Sequence, residues 1–150
     1  MFKYHSRLSL CLWAMLFIFS ATAWAQNQKF TPSAVWCAEF THVNPGRTED
    51  YLEQMRLYLL PVLEEDKREN GLQDYKILRK VDQASPEDWN ISIVLIYKNY
   101  AQMDGDDDRL DAITAKLFAG KERELKEASK MRKEMRVDRE EHILQELKLK

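Results

Sequence analysis

The sequence predicts an α+β fold, and three observations carry that prediction. Three runs, residues 34–43, 72–81 and 89–97, hold strand-favouring side chains that alternate by two. Between and after them, apolar residues recur at spacings of three and four, as on one face of a helix. Turn residues mark the changes of period: Asn44-Pro45-Gly46, Asn70-Gly71, Pro86 and Gly120. The order read from these signals is β-α-β-β-α, with a final segment that completes it if it is a strand.

The first 25 residues stand apart from that pattern. Lys3, His5 and Arg7 give a basic start, Leu8–Phe19 is apolar except for Ser9, and Ala23-Trp24-Ala25 places small residues where a signal peptidase reads. This is the signature of a secretory signal peptide, and its apolar run is short for a span of roughly 20 residues. Cleavage after Ala25 is expected to leave residues 26–150 as a periplasmic or secreted product, with no membrane attachment. Residues 26–33 are polar, contain Pro32 and read as a flexible lead-in to a single domain over 34–150.

In the first strand, Val35, Cys37, Glu39, Thr41 and Val43 share one face, and Trp36, Ala38, Phe40 and His42 the other. Apolar groups on both faces predict cover on both. Asn44-Pro45-Gly46 then turns the chain into a helix, with Asn44 or Thr48 as its expected cap. Tyr51, Leu52, Met55, Tyr58, Leu59, Val62 and Leu63 form its apolar stripe, and Pro61 predicts a kink near Leu57. Asn70-Gly71 is the expected stop.

Residues 72–81 alternate as a second strand. Residues 89–97 form the clearest strand, with Trp89, Ile91, Ile93, Leu95 and Tyr97 expected on one face and Val94 and Ile96 on the other. Asp104-Gly105-Asp106-Asp107-Asp108 opens a second helix, where acids suit the helix dipole. Leu110, Ile113 and Leu117 repeat along it, and Gly120 ends it. From Lys121 to Glu141, 15 of 21 residues are charged, with only Leu125, Ala128, Arg132 and Met135 as a thin inward stripe. A charged helical arm over 121–141 is expected. Residues 141–150 fit a strand by Ile143, Gln145, Leu147 and Leu149, and a helix by Ile143, Leu144 and Leu147.

Composition excludes several functions. Removing the signal segment leaves 21 basic against 25 acidic side chains, a balance that argues against nucleic-acid binding. Cys37 is then the lone cysteine and reads as a buried, inert thiol without a disulfide partner. His42 and His142 are too far apart to give a recognisable metal-ligand spacing, so no metal is expected. The Asp104–Asp108 run lacks the Gly and the terminal Glu of a calcium loop, because Arg109 and Ala115 hold those positions. Asn90-Ile91-Ser92 has the glycosylation spacing but falls in an expected buried strand.

The order β-α-β-β-α-β is the ferredoxin-like arrangement. With Val43-Asn44-Pro45-Gly46 after the first strand, Tyr51 in the helix, Gly71 to Tyr75 and the strand 89–97, the chain resembles the dimeric α/β-barrel superfamily. That resemblance implies a half-barrel with an antiparallel sheet, helices on one face, and a homodimer covering the other. Its haem-degrading members carry a histidine on the second helix, whereas residues 104–119 hold no His, Cys or Met, so no cofactor is expected. The leading expectation is a module binding a small apolar ligand between sheet and helices, with Trp36, Tyr58, Tyr75, Trp89 and Tyr97 as aromatic walls. Two alternatives stand beside it. One is a cofactor-independent oxygenase or isomerase using Glu39, His42 or a tyrosine. The other is an interaction module docking through the charged helix.

Overall fold

The computed structural model describes residues 29–82, 85 and 88–150. The expected signal peptide, and the lead-in as far as residue 28, lie outside the described residues. The described part falls into two units. Pro32–Leu147 holds the sheet and helices; residues 29–31 and 148–150 belong to a second unit, in which the Lys150 N–H donates to the Lys29 carbonyl at 3.0 Å.

The elements are β1 (Phe30–Val43), α1 (Thr48–Gln54), a π-helical turn (Met55–Leu59), α2 (Leu60–Arg68), β2 (Asp74–Arg79), β3 (Ile91–Tyr97), a single turn α3 (Tyr100–Met103), α4 (Asp106–Leu117), α5 (Glu122–Met135) and β4 (Arg136–Leu149). They make an α+β fold with an antiparallel sheet in the order β2-β3-β1-β4, compatible with a ferredoxin-like arrangement. Register places Val35 opposite Tyr97 and Thr41 opposite Ile91 on β1 and β3, and Asp74 opposite Ile96 on β2 and β3.

The period-two pattern correctly assigns the two faces. Val35, Val43, Ile91, Ile93 and Tyr97 face the helices and pack with Tyr51, Met55, Leu63 and Met135. Ala34, Ala38, Val94 and Ile96 form the outer cluster with Trp36 and Phe40, and no helix residue joins them. The helices therefore lie on one face among the described residues.

Several expectations need correction. β1 starts at Phe30, inside the segment read as a lead-in. The charged segment 121–141 is not one helix: α5 stops at Met135, and Arg136 turns extended (φ −139°, ψ 161°) to open β4. Nor is α5 a free arm, since Ala128 and Met135 are buried. The ambiguous 141–150 is strand as far as Leu149. Trp89 precedes β3 rather than belonging to it, so the alternation does not reach it.

Asn44 does not cap the first helix. Arg47 takes the N-cap position of α1 with no side-chain cap. Asn44 instead serves the other end of α5. Its backbone N–H donates to the Met135 carbonyl at 2.8 Å, and its side-chain amide to the Glu134 carbonyl at 3.2 Å. Those are carbonyls a helix C-terminus leaves without intrahelical partners. Thus the Asn-Pro-Gly corner fastens the end of α5 and helps set where β4 begins.

The disturbance predicted from Pro61 takes the form of the π turn at Met55–Leu59, directly before the proline in the first turn of α2. A π turn absorbs a missing N–H by widening the ladder locally. At the end of α2, Asn70 rather than Gly71 adopts the left-handed conformation (φ 61°). The Gly71 N–H donates to Asp66 and the Asn70 N–H to Lys67, a Schellman closure. Gly71 is needed for another reason: a Cβ there would lie 1.8 Å from Asp66 Oδ1.

Candidate functional site

The first-strand candidates do not converge. Glu39 lies on the helix-facing side, with Oε1 3.1 Å from Arg136 Nη1. His42 lies on the outer face at the strand end, where Nδ1–H donates to the Asp88 carbonyl at 2.7 Å. The opposite faces of the strand keep them apart, as the alternation requires.

The aromatic candidates also separate. Trp36 packs with the outer cluster. Trp89 meets Phe40 on that same face, with ring centroids 4.8 Å apart and Lys80 over its ring. Tyr75 donates to Glu64, which holds the phenol up at about 12, with burial adding. Tyr97 is fully buried on the helix side and donates to Asp106 Oδ2 at 2.6 Å. Among these five, Tyr58 reaches a pocket wall. Its hydroxyl donates to Glu124 at 2.8 Å, and its ring lies 5.9 Å from Phe118.

A polar layer lies between sheet and helices, with Arg136 at its hub. The guanidinium donates to the Tyr51 hydroxyl at 2.8 Å, meets Glu39, and contacts Asp138 at 3.0 Å through Nε. Burial opposes its charge, but Tyr51, Glu39 and Asp138 outweigh that and raise its pKa. Burial also raises the Tyr51 phenol, although Arg136 pulls it back. Nearby, the Cys37 thiol donates to Glu141 Oε1 at 3.4 Å. Burial, then Glu141, push the thiol up to about 12, which leaves it protonated and unreactive at neutral pH.

Two hollows are relevant. The larger, of about 530 Å³, sits by the Asn-Pro-Gly corner and is lined by residues including His42, Pro45, Thr48, Arg79 and Lys80. Three of its polar side chains, Asn90, Lys80 and His42, are engaged within the fold. Asn90 exchanges two hydrogen bonds of 2.8 Å with the Val43 backbone, Lys80 pairs with Asp88, and His42 is engaged as described. The Asn90 bonds also occupy the amide that a glycan would need.

The smaller, of about 250 Å³, opens between the helices. Tyr58 and Leu59 of the π turn, Val62 of α2, Leu110 and Thr114 of α4, and Leu125 of α5 supply its walls. Arg132 and Arg136 stand at its polar end. Thr114 donates to the Leu110 carbonyl at 2.7 Å, so its hydroxyl is spent on its own helix. Apolar walls with a few convergent polar groups are the usual anatomy of a small-molecule site. Among the described residues, no group of three or more His, Cys, Asp and Glu side chains suited to a metal ion occurs.

Arg132 and Arg136 are the residues that sequence reasoning missed. Arg132 did carry a signal: it falls in register with Leu125, Ala128 and Met135, where a solvated face would not put it. Arg136 carried none, because its role depends on the chain leaving the helix at Met135. The fold and pocket together define a small α+β protein with an internal polar layer and an apolar interhelical pocket. No family model and no curated protein matches the chain.

Proposed function

We propose that this is an exported homodimeric module that binds a small apolar ligand on the helix side of the sheet. The fold on which it does so resembles the dimeric α/β-barrel superfamily. The observation that carries the reading is the pocket walled by Tyr58, Leu59, Val62, Leu110 and Leu125. Its volume of about 250 Å³ lies just below the roughly 300–1,000 Å³ of drug-sized sites, which limits it to a small ligand. The protonated Cys37 thiol and the separation of Glu39 from His42 favour binding over covalent or acid-base chemistry.

Pairing with a second copy is supported by the sheet edge. β4 is 14 residues long and ends the strand order, with Ile143, Leu144 and Leu147 about half exposed. A long edge strand can template another chain; although half of β4 is charged, its half-exposed Ile143, Leu144 and Leu147 give a stretch that a second copy would cover with closed symmetry. The N-terminal signature over residues 1–25 supports export. Among the described residues, no helix is long and apolar enough to cross a membrane.

Native mass spectrometry of protein purified from its own host tests this reading. A dimer carrying a small co-purified molecule, lost in a pocket-filling Val62→Trp variant, is the expected result. A ligand-free monomer would refute it.

A further inference from the structure

The polar end of the interhelical pocket contains a cation that the fold does not neutralise. Arg132 lines the pocket, half-buried, with no hydrogen bond or carboxylate partner among the described residues. Its neighbour Arg136 takes up Glu39, Asp138 and the Tyr51 hydroxyl. The ionisable groups acting to hold the charge on Arg132 are Tyr51 and Tyr58, and both phenols are shifted upward, so they stay neutral at physiological pH. Burial acts against the charge on Arg132. A guanidinium does not shed its proton in a protein, and holding it half-buried beside Arg136 without a counter-charge is costly. An anion in the pocket would supply the missing counter-charge, and the planar donors of arginine suit a carboxylate in particular.

The rest of the pocket limits what the anion is attached to. Leu59, Val62, Leu110 and Leu125 offer no hydrogen bonds, and the hydroxyls of Thr114 and Tyr58 already donate elsewhere. A volume of about 250 Å³ holds about eight groups the size of a water molecule. Sugars and nucleotides, which need polar contacts along their length, do not match these walls.

We propose that the ligand is an amphipathic carboxylate with a body of about eight carbons, its head group paired with Arg132 and its body against Leu59, Val62, Leu110 and Leu125. The proposal deepens the pocket reading above and rests on it. It adds a ligand class and a sign of charge, which can fail while the pocket stands.

The test is isothermal titration of the purified mature protein with three probes of equal chain length: octanoate, 1-octanol and octylamine. Octanoate is expected to bind about tenfold or more tightly than 1-octanol, as one charge-assisted hydrogen bond would give, with octylamine the weakest. Arg132→Met should erase the preference for octanoate while leaving 1-octanol binding in place, and Arg132→Lys should retain part of it. Equal binding of octanoate and 1-octanol by the wild type overturns the head-group assignment and spares the pocket. Preference for octylamine overturns the sign of charge. Failure of all three to bind removes the proposal and the pocket reading together. The wild-type probe series decides the matter even if Arg132→Met does not fold.

Discussion

Replacing Arg109 by Met should destabilise the protein far more than its position suggests. The Asp66 side chain at the end of α2 is completely buried. Arg109 Nε from α4 lies 2.7 Å from Oδ1, and the Arg109 side chain is 26% exposed. The guanidinium also donates to the carbonyls of Gly71 at 3.2 Å and Gln102 at 3.4 Å. Asp66 Oδ2 has no further partner among the described residues, so Arg109 is the main compensation for the carboxylate. Stranding a buried charge costs about 3–5 kcal/mol, a large part of the roughly 5–15 kcal/mol that stabilises a typical domain. Replacing both members by apolar residues of similar size leaves no stranded charge. Asp66→Leu/Arg109→Met should therefore stay within about 1–2 kcal/mol of wild type, with a coupling of about 2–3 kcal/mol. Urea unfolding of wild type, both singles and the double gives these values from midpoints at constant slope. If the double mutant loses as much as Arg109→Met alone, the pair is not what anchors α4 to α2, and the reasoning fails.

The same joint predicts that Gly71→Ala destabilises strongly, because the new Cβ would meet Asp66 Oδ1 at 1.8 Å and Arg109 Nε at 2.3 Å; its loss should shrink in an Asp66→Ala background, as urea midpoints would show. Cys37 should alkylate at pH 8 about a thousandfold more slowly than a free thiol, since a pKa of about 12 rather than 9.0 makes thiolate that much scarcer. The sign for stability follows: above pH 9.0 the unfolded chain releases the thiol proton that the folded chain keeps, so the contribution present below pH 9.0 is lost as pH rises toward 12. Glu65 acts in the opposite direction. Arg68 and then Lys116 hold its carboxyl at about 2, so its contribution is complete above the ordinary 4.5 and lost as pH falls toward 2. Acid titration of Lys116→Met, followed by circular dichroism, should show a smaller change in stability over that range.

Local patterns carried the strands, the faces and the first helix because they depend on residues near in sequence. Val94 and Ile96 against Ile93 and Tyr97 divide the sheet as period two requires. Pro61 disturbs its helix because it lacks an N–H wherever it sits. The errors arose where a distant partner decides. Nothing within 121–141 says that α5 must stop at Met135. The stop depends on Asn44, some ninety residues earlier, meeting the last carbonyls, and on Tyr51 and Glu39 receiving Arg136. Asn44 was legible as a capping residue but not as a cap for a helix so far along the chain. Trp89 misled because it is itself β-favouring and keeps the period of two, yet it precedes the ladder and its ring folds onto Phe40. The sequence pointed to an apolar site between sheet and helices, whereas the hollow opens between the helices, with Tyr58 the one expected aromatic among its lining residues. Its cationic end was not legible, because a charged residue within a highly charged segment reads as solvated until its burial is known.

The most direct test of the central claim is to locate a neutral apolar ligand on the protein. In a backbone and side-chain NMR titration with 1-octanol, the account predicts saturable shifts at Tyr58, Leu59, Val62, Leu110 and Leu125, with Trp36, Phe40 and Trp89 unmoved. Shifts at those outer-face residues instead, or no saturable shift in the interhelical pocket, would contradict it.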